Sequence, residues 1–211
     1  MTARADVSSR KQVSVWVSSA LKRVAFCGLL LFYGSSGDLS ALEDTAKSGY
    51  FPNQILRDQN GRPLRFYGDL LQGKTVVIHS FFGACHGSCP VLLGKLKAVQ
   101  DAFGTHLGKD LLFLSISVDP ANDKPAKLRE MAASLNAKPG WLFVSGARQN
   151  VDWVLYRLGQ YSPVREEHST VFLVGNEAAG VWTKLDASIS PENLRTGIQK
   201  VLNAPLLGQN P

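Results

Sequence analysis

The sequence predicts an α/β domain, and three observations carry that prediction. Residues 75–82 (T-V-V-I-H-S-F-F) and 111–118 (L-L-F-L-S-I-S-V) are apolar runs rich in β-branched and aromatic residues, with the length of buried strands. Apolar residues then recur at helical spacing after each run: Leu92, Leu93, Leu96, Val99 and Phe103 after the first, Leu128, Met131, Ala132 and Leu135 after the second. Strands that alternate with helices in this way build a sheet covered on both faces. The 211 residues, 45% hydrophobic and 19% charged, suffice for one domain of roughly 150 residues plus a terminal segment, and that balance excludes a disordered chain. Three Cys are too few for a disulfide scaffold.

Each element has its own signal. Residues 38–49 are polar without a clear period and read as a linker, and order begins near Tyr50. Residues 54–57 and 63–66 flank Gln59, Asn60 and Gly61, and Asn-Gly between short strand-like runs signals a hairpin. After the strand at 75–82, Pro90 opens a helix, because its missing N–H falls among the unpaired donors of a first turn. Asp119-Pro120 closes the strand at 111–118. Residues 141–145 form a short strand, and Val151, Val154, Leu155 and Leu158 give the apolar face of a third helix. Residues 169–174 and 181–185, joined by Gly175-Asn-Glu-Ala-Ala-Gly180, make a second hairpin. Ser190 and Pro191 cap and start a last helix with Leu194, Ile198, Val201 and Leu202 on its apolar face. A closing hairpin followed by a helix is the thioredoxin-like arrangement, here with an N-terminal hairpin and one inserted β-α unit. The domain then covers residues 50–204 and leaves 205–211 as a tail. Trp141, Trp153 and Trp182 could anchor an interface, but core packing explains each of them more cheaply.

The net charge of +6 is unevenly placed. Before residue 34 stand five basic residues (Arg4, Arg10, Lys11, Lys22, Arg23) against Asp6 alone, while the remainder carries 18 basic and 16 acidic residues. No basic groove with interleaved aromatics results, which argues against nucleic-acid binding. Lys22 and Arg23 precede the apolar run 24–33 and then the small residues Gly34, Ser35, Ser36 and Gly37, so residues 1–37 read as a signal peptide. Ten residues are short of the roughly 20 that span a bilayer core, and an uncleaved membrane anchor that also draws on residues 13–21 is the alternative. In both cases the positive flank stays inside and the domain is exported, to a periplasm or its equivalent. Cys27 lies within the apolar run as a hydrophobic filler, leaving two Cys in the domain.

Those two stand in Cys85-His-Gly-Ser-Cys89-Pro90, between the first long strand and the helix. Free N–H groups and the positive end of a helix dipole favour thiolates, which attack disulfides or bind metal. Gly87 lets the loop bend, and three intervening residues make more room between the sulfurs than a C-x-x-C loop does. Two thiolates form a soft partial site suited to Cu(I), and a nitrogen ligand would complete it. Of the four His, His79 alternates within a strand and reads as a packed core residue, and His106 as a surface residue. His86 lies inside the Cys loop, but its position next to Cys85 constrains how both could reach one ion. His168 stands at the mouth of the strand beginning at Ser169, which in a thioredoxin-like sheet faces the Cys loop, and is therefore the best third ligand.

Together these residues resemble the Sco/SenC family of copper-binding, thioredoxin-fold proteins. The resemblance covers about residues 50–204: the hairpin with Asn60-Gly61, the strand leading into F-F-G-A-C-H-G-S-C-P, the S-I-S-V-D-P segment at 115–120, and H-S-T at His168 followed by L-V-G-N-E. It implies that Cys85, Cys89 and His168 hold one copper ion, Cu(I) or Cu(II). It also implies that the protein serves the dinuclear copper centre of cytochrome c oxidase, as copper donor to an oxidase subunit, as its thiol reductase, or both, among other periplasmic redox or copper proteins. Asp119, in the family's D-P, would support the site rather than bind the metal. Many family members carry Pro-Asp after the first Cys, whereas this chain has His86-Gly87. That departure makes His86 a possible fourth ligand and zinc, which favours a Cys₂His₂ set, a competitor for the site.

The rival reading from the enzyme class is a thiol-disulfide oxidoreductase in which Cys85 and Cys89 are the catalytic redox pair and no copper is involved. A peroxidase of peroxiredoxin type is weaker still, because Phe82 stands where that chemistry places a Thr. The third alternative is a partner-binding domain with vestigial Cys.

Overall fold

The computed structural model describes residues 50–208. The signal peptide or anchor at 1–37, Cys27 within it, the linker at 38–49 and the last three residues of the tail lie outside the described residues. Seven strands form one sheet: β1 (Ile55–Arg57), β2 (Pro63–Arg65), β3 (Thr75–Phe81), β4 (Leu111–Ser117), β5 (Trp141–Gly146), β6 (Val171–Asn176) and β7 (Val181–Asp186). Their spatial order is β2-β1-β5-β4-β3-β6-β7. The central trio β5-β4-β3 is parallel, and the hairpins β1-β2 and β6-β7 join its two sides antiparallel. Among the described residues four α-helices accompany the sheet: α1 (Ser88–Val99), α2 (Pro125–Ser134), α3 (Arg148–Arg157) and α4 (Pro191–Leu202).

Every residue of β3 and β4 is buried, which is why both read as continuous apolar runs rather than alternating ones. Their polar members are paired. The Trp141 indole N–H donates to Ser115 Oγ at 2.9 Å, and Ser115 Oγ–H donates to His79 Nε2 at 2.7 Å. His79 Nδ1–H in turn donates to the Ser80 carbonyl at 3.3 Å, so one chain of bonds holds the imidazole neutral in a fixed tautomer. Burial pushes the His79 pKa down to about 4, against the Ser80 bond and with a smaller repulsion from His168. His79 is thus the packed core residue expected, and His106 is the exposed one, paired with Asp110.

The expected element order holds, with local differences. β2 ends at Arg65 because Phe66–Leu71 coils into a six-residue π-helix that buries Phe66, Tyr67, Leu70 and Leu71. Asp69 accepts the Arg65 backbone N–H at 2.6 Å and so steers the chain into that coil. Helix α1 begins at Ser88, two residues before Pro90, which the free donors of a first turn still accommodate. β6 begins at Val171, two residues later than expected. The final helix has the expected cap, with Ser190 Oγ accepting the Asn193 N–H at 3.2 Å. Trp141 is core, and Trp182 lies half-buried against Gly175, where a side chain would collide with its ring. Trp153 departs from the expectation: it is 44% exposed on the outer side of α3, whose buried face is Val151, Val154 and Leu155. Among the described residues no helix is long and apolar enough to cross a membrane.

Two glycines with positive φ make a discriminating pair. Gly61 (φ 79°) turns the first hairpin in open space, whereas Gly140 (φ 98°) lies where an added Cβ would meet the Gly108 backbone. Both Ala variants incur the positive-φ penalty of about 1–2 kcal/mol, so chemical denaturation is expected to show Gly140→Ala as clearly the more destabilised. The depressed His79 pKa makes a second prediction. The unfolded chain binds a proton that the folded chain refuses, so stability is full above the ordinary His pKa of about 6.5 and falls as pH drops toward about 4. The loss is expected to be on the order of 3 kcal/mol, and denaturation of His79→Leu across the same range should show a flatter profile.

Candidate metal centre

Parallel pairing places Phe81 of β3 beside Ser117 of β4, so the Cys loop and the Asp119-Pro120 loop leave the sheet at one edge. β6 runs antiparallel to β3, which brings the residues preceding it back to that edge. Three side chains therefore meet there: Cys85 from the loop, Cys89 from the first turn of α1, and His168 from the segment before β6. Their sulfur and nitrogen atoms all lie within 4.8 Å of one another, the one such group of three among the described residues. This is the set expected from the sequence. His86 is exposed and outside it, so the fourth-ligand alternative gains no support.

The two sulfurs are joined as a disulfide, with Cα atoms 6.0 Å apart. Cys89 is closed off in the core and Cys85 is half-buried. The start of α1 two residues earlier than expected puts Cys89 inside the first helical turn, among its free N–H groups. His168 is 5% exposed, and its Nδ1–H donates to the Ser169 carbonyl at 3.0 Å. That bond leaves the lone pair on Nε2, which faces Cys89 Sγ at 3.3 Å. Burial lowers the His168 pKa, with the Ser169 bond opposing, so the imidazole is neutral as a metal ligand must be.

Around the donors lies a set of supports that sequence reasoning missed. Asp123, fully buried, accepts the Gly83 backbone N–H at 2.8 Å and Ser117 Oγ–H at 2.6 Å, and pairs with Lys127 at 2.9 Å. It ties the Cys loop to the end of β4, and no side chain fits at Gly83, where a Cβ would run into Asp123 and Lys127. The i,i+4 spacing of Asp123 and Lys127 was the available signal. Asp119 acts as support, as the resemblance implied: it accepts from Asn122, and from Arg165 at 2.7 Å. Burial alone would raise its pKa, but the bonds from Asn122 and Arg165 outweigh it and hold the carboxylate below its usual range. Arg165 also lies 4.7 Å above the Phe82 ring, and Phe82 meets the His168 ring edge-on at 5.6 Å. The β4–α2 loop thus holds both halves of the site, one through Asp123 and the other through Asp119 and Arg165. Asp123→Ala orphans two donors and one cation, and equilibrium denaturation should show a loss of about 1–3 kcal/mol, with Asp123→Asn recovering part of it.

Comparison with known proteins agrees with this geometry. A family model described as SCO1/SenC matches residues 52–203. An SCO2-like protein of Rickettsia conorii is 29% identical over 116 residues, 55% of this chain and 53% of the relative. The chain spans about half the length of the curated relatives it matches. Among solved structures, yeast Sco1 with copper bound superposes with a TM-score of 0.62 at 23% identity, covering 75% of this chain and 91% of that one. BsSco, a member of the Sco family of cytochrome c oxidase assembly proteins, gives 0.59 at 19% identity, covering 72% and 92%. At such identities these structures establish the thioredoxin-like fold, while the family match extends over the described domain from the first hairpin to the last helix. The chain belongs to the SCO1/SenC family.

Proposed function

We propose that this chain is an extracytoplasmic copper carrier that uses Cys85, Cys89 and His168 to hold one Cu(I) ion as cargo and to pass it to a copper-receiving subunit of cytochrome c oxidase. The observation that carries the reading is the convergence of two sulfurs and one oriented imidazole nitrogen within 4.8 Å, with no fourth His, Cys, Asp or Glu in the group among the described residues. Soft sulfur donors suit Cu(I), and a three-donor set lacks the fourth protein ligand of a closed tetrahedral zinc site. Copper-bound relatives of the same fold, from yeast and from Bradyrhizobium japonicum, support the choice of metal. The apolar run 24–33 and its positive flank support export.

The disulfide is the unloaded, oxidised form. A dithiol reductant supplies the two electrons and two protons that convert it to two thiols, itself becoming a disulfide, and loss of the thiol protons yields the thiolates that bind metal. The open side of a three-donor site lets an incoming ligand bond to the copper before the carrier's own bonds break, so the ion is handed over without release to solvent. The same pair supports a second reading: as the reduced dithiol it would reduce a disulfide of the receiving subunit to two thiols and itself close to the Cys85–Cys89 disulfide.

Anaerobic titration of the reduced full chain with Cu(I) against a competing chelator tests the proposal. Expected is a one-to-one complex that Cys89→Ser abolishes and His168→Ala weakens at least about tenfold, with His86→Ala unchanged. Affinity should fall as pH drops, because protons compete for the thiolates, while the lowered His168 pKa keeps the imidazole available. Failure of the unmodified chain to bind Cu(I) tightly would reject the carrier reading in favour of thiol-disulfide exchange, for which rapid Cys85-dependent reduction of a model disulfide is the positive sign.

A further inference from the structure

Away from the metal centre, the most prominent unassigned feature among the described residues is a face of exposed aromatic rings. Tyr50, Trp153, Tyr156 and Tyr161 are each between 44% and 62% exposed. They form one surface. Trp153 and Tyr156 stack with centroids 5.6 Å apart and planes 15° from parallel, and Tyr161 shares with them a hollow of about 400 Å³. The Arg157 guanidinium lies 4.8 Å from the Tyr50 ring centre and 5.9 Å from that of Trp153, and its Nε–H donates to the Tyr50 carbonyl at 2.6 Å. Packing of α3 does not account for the rings, because the helix buries its other side. The only carboxylate in the hollow, Asp152, lies 3.5 Å from Arg148.

Tyr and Trp rings join a flat apolar body to one polar tip, and Arg joins an apolar stem to a charged head. That combination is the one that settles at the headgroup level of a bilayer. What selects a bilayer as the occupant is where the chain leads. Tyr50, itself part of the face, is separated by only 16 residues from the apolar run 24–33, so with that run retained, together with residues 13–21, as an uncleaved anchor the face is tethered within about 60 Å of the membrane. Over such a tether even a weak surface affinity is effective, because docking becomes intramolecular. We infer that the face formed by Tyr50, Trp153, Tyr156 and Tyr161 docks on the headgroup region of a lipid bilayer. The inference rests on the anchor reading of the N-terminal segment and not on copper binding.

The test uses the full chain, with its four Trp indoles labelled with ¹⁵N, in phosphatidylcholine nanodiscs with and without phosphatidylglycerol. Spin-labelled lipid is then introduced. The Trp153 indole N–H signal is expected to lose most of its intensity, while that of Trp141, sealed in the core, is retained. The double variant Tyr156→Ser/Tyr161→Ser, which alters only exposed rings, should restore much of the Trp153 signal. A Trp153 signal indifferent to spin-labelled lipid overturns the inference and leaves the face to a protein partner. A signal that instead follows the number of chains per disc assigns the face to a second copy. An effect confined to discs with phosphatidylglycerol would refute the aromatic basis, and a chain that elutes apart from the discs refutes docking altogether.

Discussion

The parallel pairing of β3 with β4 is the constraint on which the rest of the site depends. Seven consecutive pairs, from Thr75↔Leu111 to Phe81↔Ser117, bring both strands to an end at the same level of the sheet. Two loops that are far apart in sequence must then emerge side by side, and a single buried carboxylate can serve both. Asp123 does so by accepting from Gly83 on one side and Ser117 on the other. The antiparallel return of β6 adds the third component without any further long-range requirement. The positions of two sulfurs and an imidazole thus follow from register, with a few hydrogen bonds removing the remaining freedom.

Electrostatically, the interior near the site separates two histidines that differ in purpose. His79 is locked by partners on both ring nitrogens and has no free lone pair, so it is a structural group despite its proximity to the donors. His168 is locked on one nitrogen only, and its second nitrogen looks at sulfur. Burial keeps both neutral, for different ends: in one to preserve a bonded core, in the other to keep a lone pair available. The charges nearby are paired, Asp123 with Lys127 and Arg165 with both Asp119 and Glu166. These pairs hold backbone and ring in place and leave the donor triangle itself uncharged until the disulfide is reduced.

Much of this was legible from residues alone, because the signals involved are local or periodic. The strands at the centre announced themselves through β-branched runs, the last helix through Ser190 and Pro191, and the donor set through a Cys pair at a strand-to-helix turn with a His at a strand mouth. What was not legible has a common cause. The π-helix depends on Asp69 reaching back to Arg65, the early start of α1 on a first turn that tolerates Pro90 inside it, and the role of Asp123 on a neighbour 40 residues away. None of the three has a periodic signal: the first two are local choices that residues of ordinary type leave open, and the third is a tertiary bond. Trp153 misled in the opposite sense: a large aromatic residue suggests a core, and only the helix's position on the sheet shows which side of α3 faces out.

The unequal burial of the two sulfurs has a kinetic meaning. Cys85 is reached from solvent, whereas Cys89 sits behind it in the first turn of α1, against His168. A partner, whether it brings a thiolate, a disulfide or a metal ligand, therefore collides with Cys85 first and can engage Cys89 only after that contact exists. The site has one door, so in the transfer proposed above the outer sulfur would change hands while the inner sulfur and the imidazole still grip. Such an order makes the exchange directional, and it makes the identity of whatever arrives at the door, rather than the affinity of the closed site, the step at which a right partner is told from a wrong one.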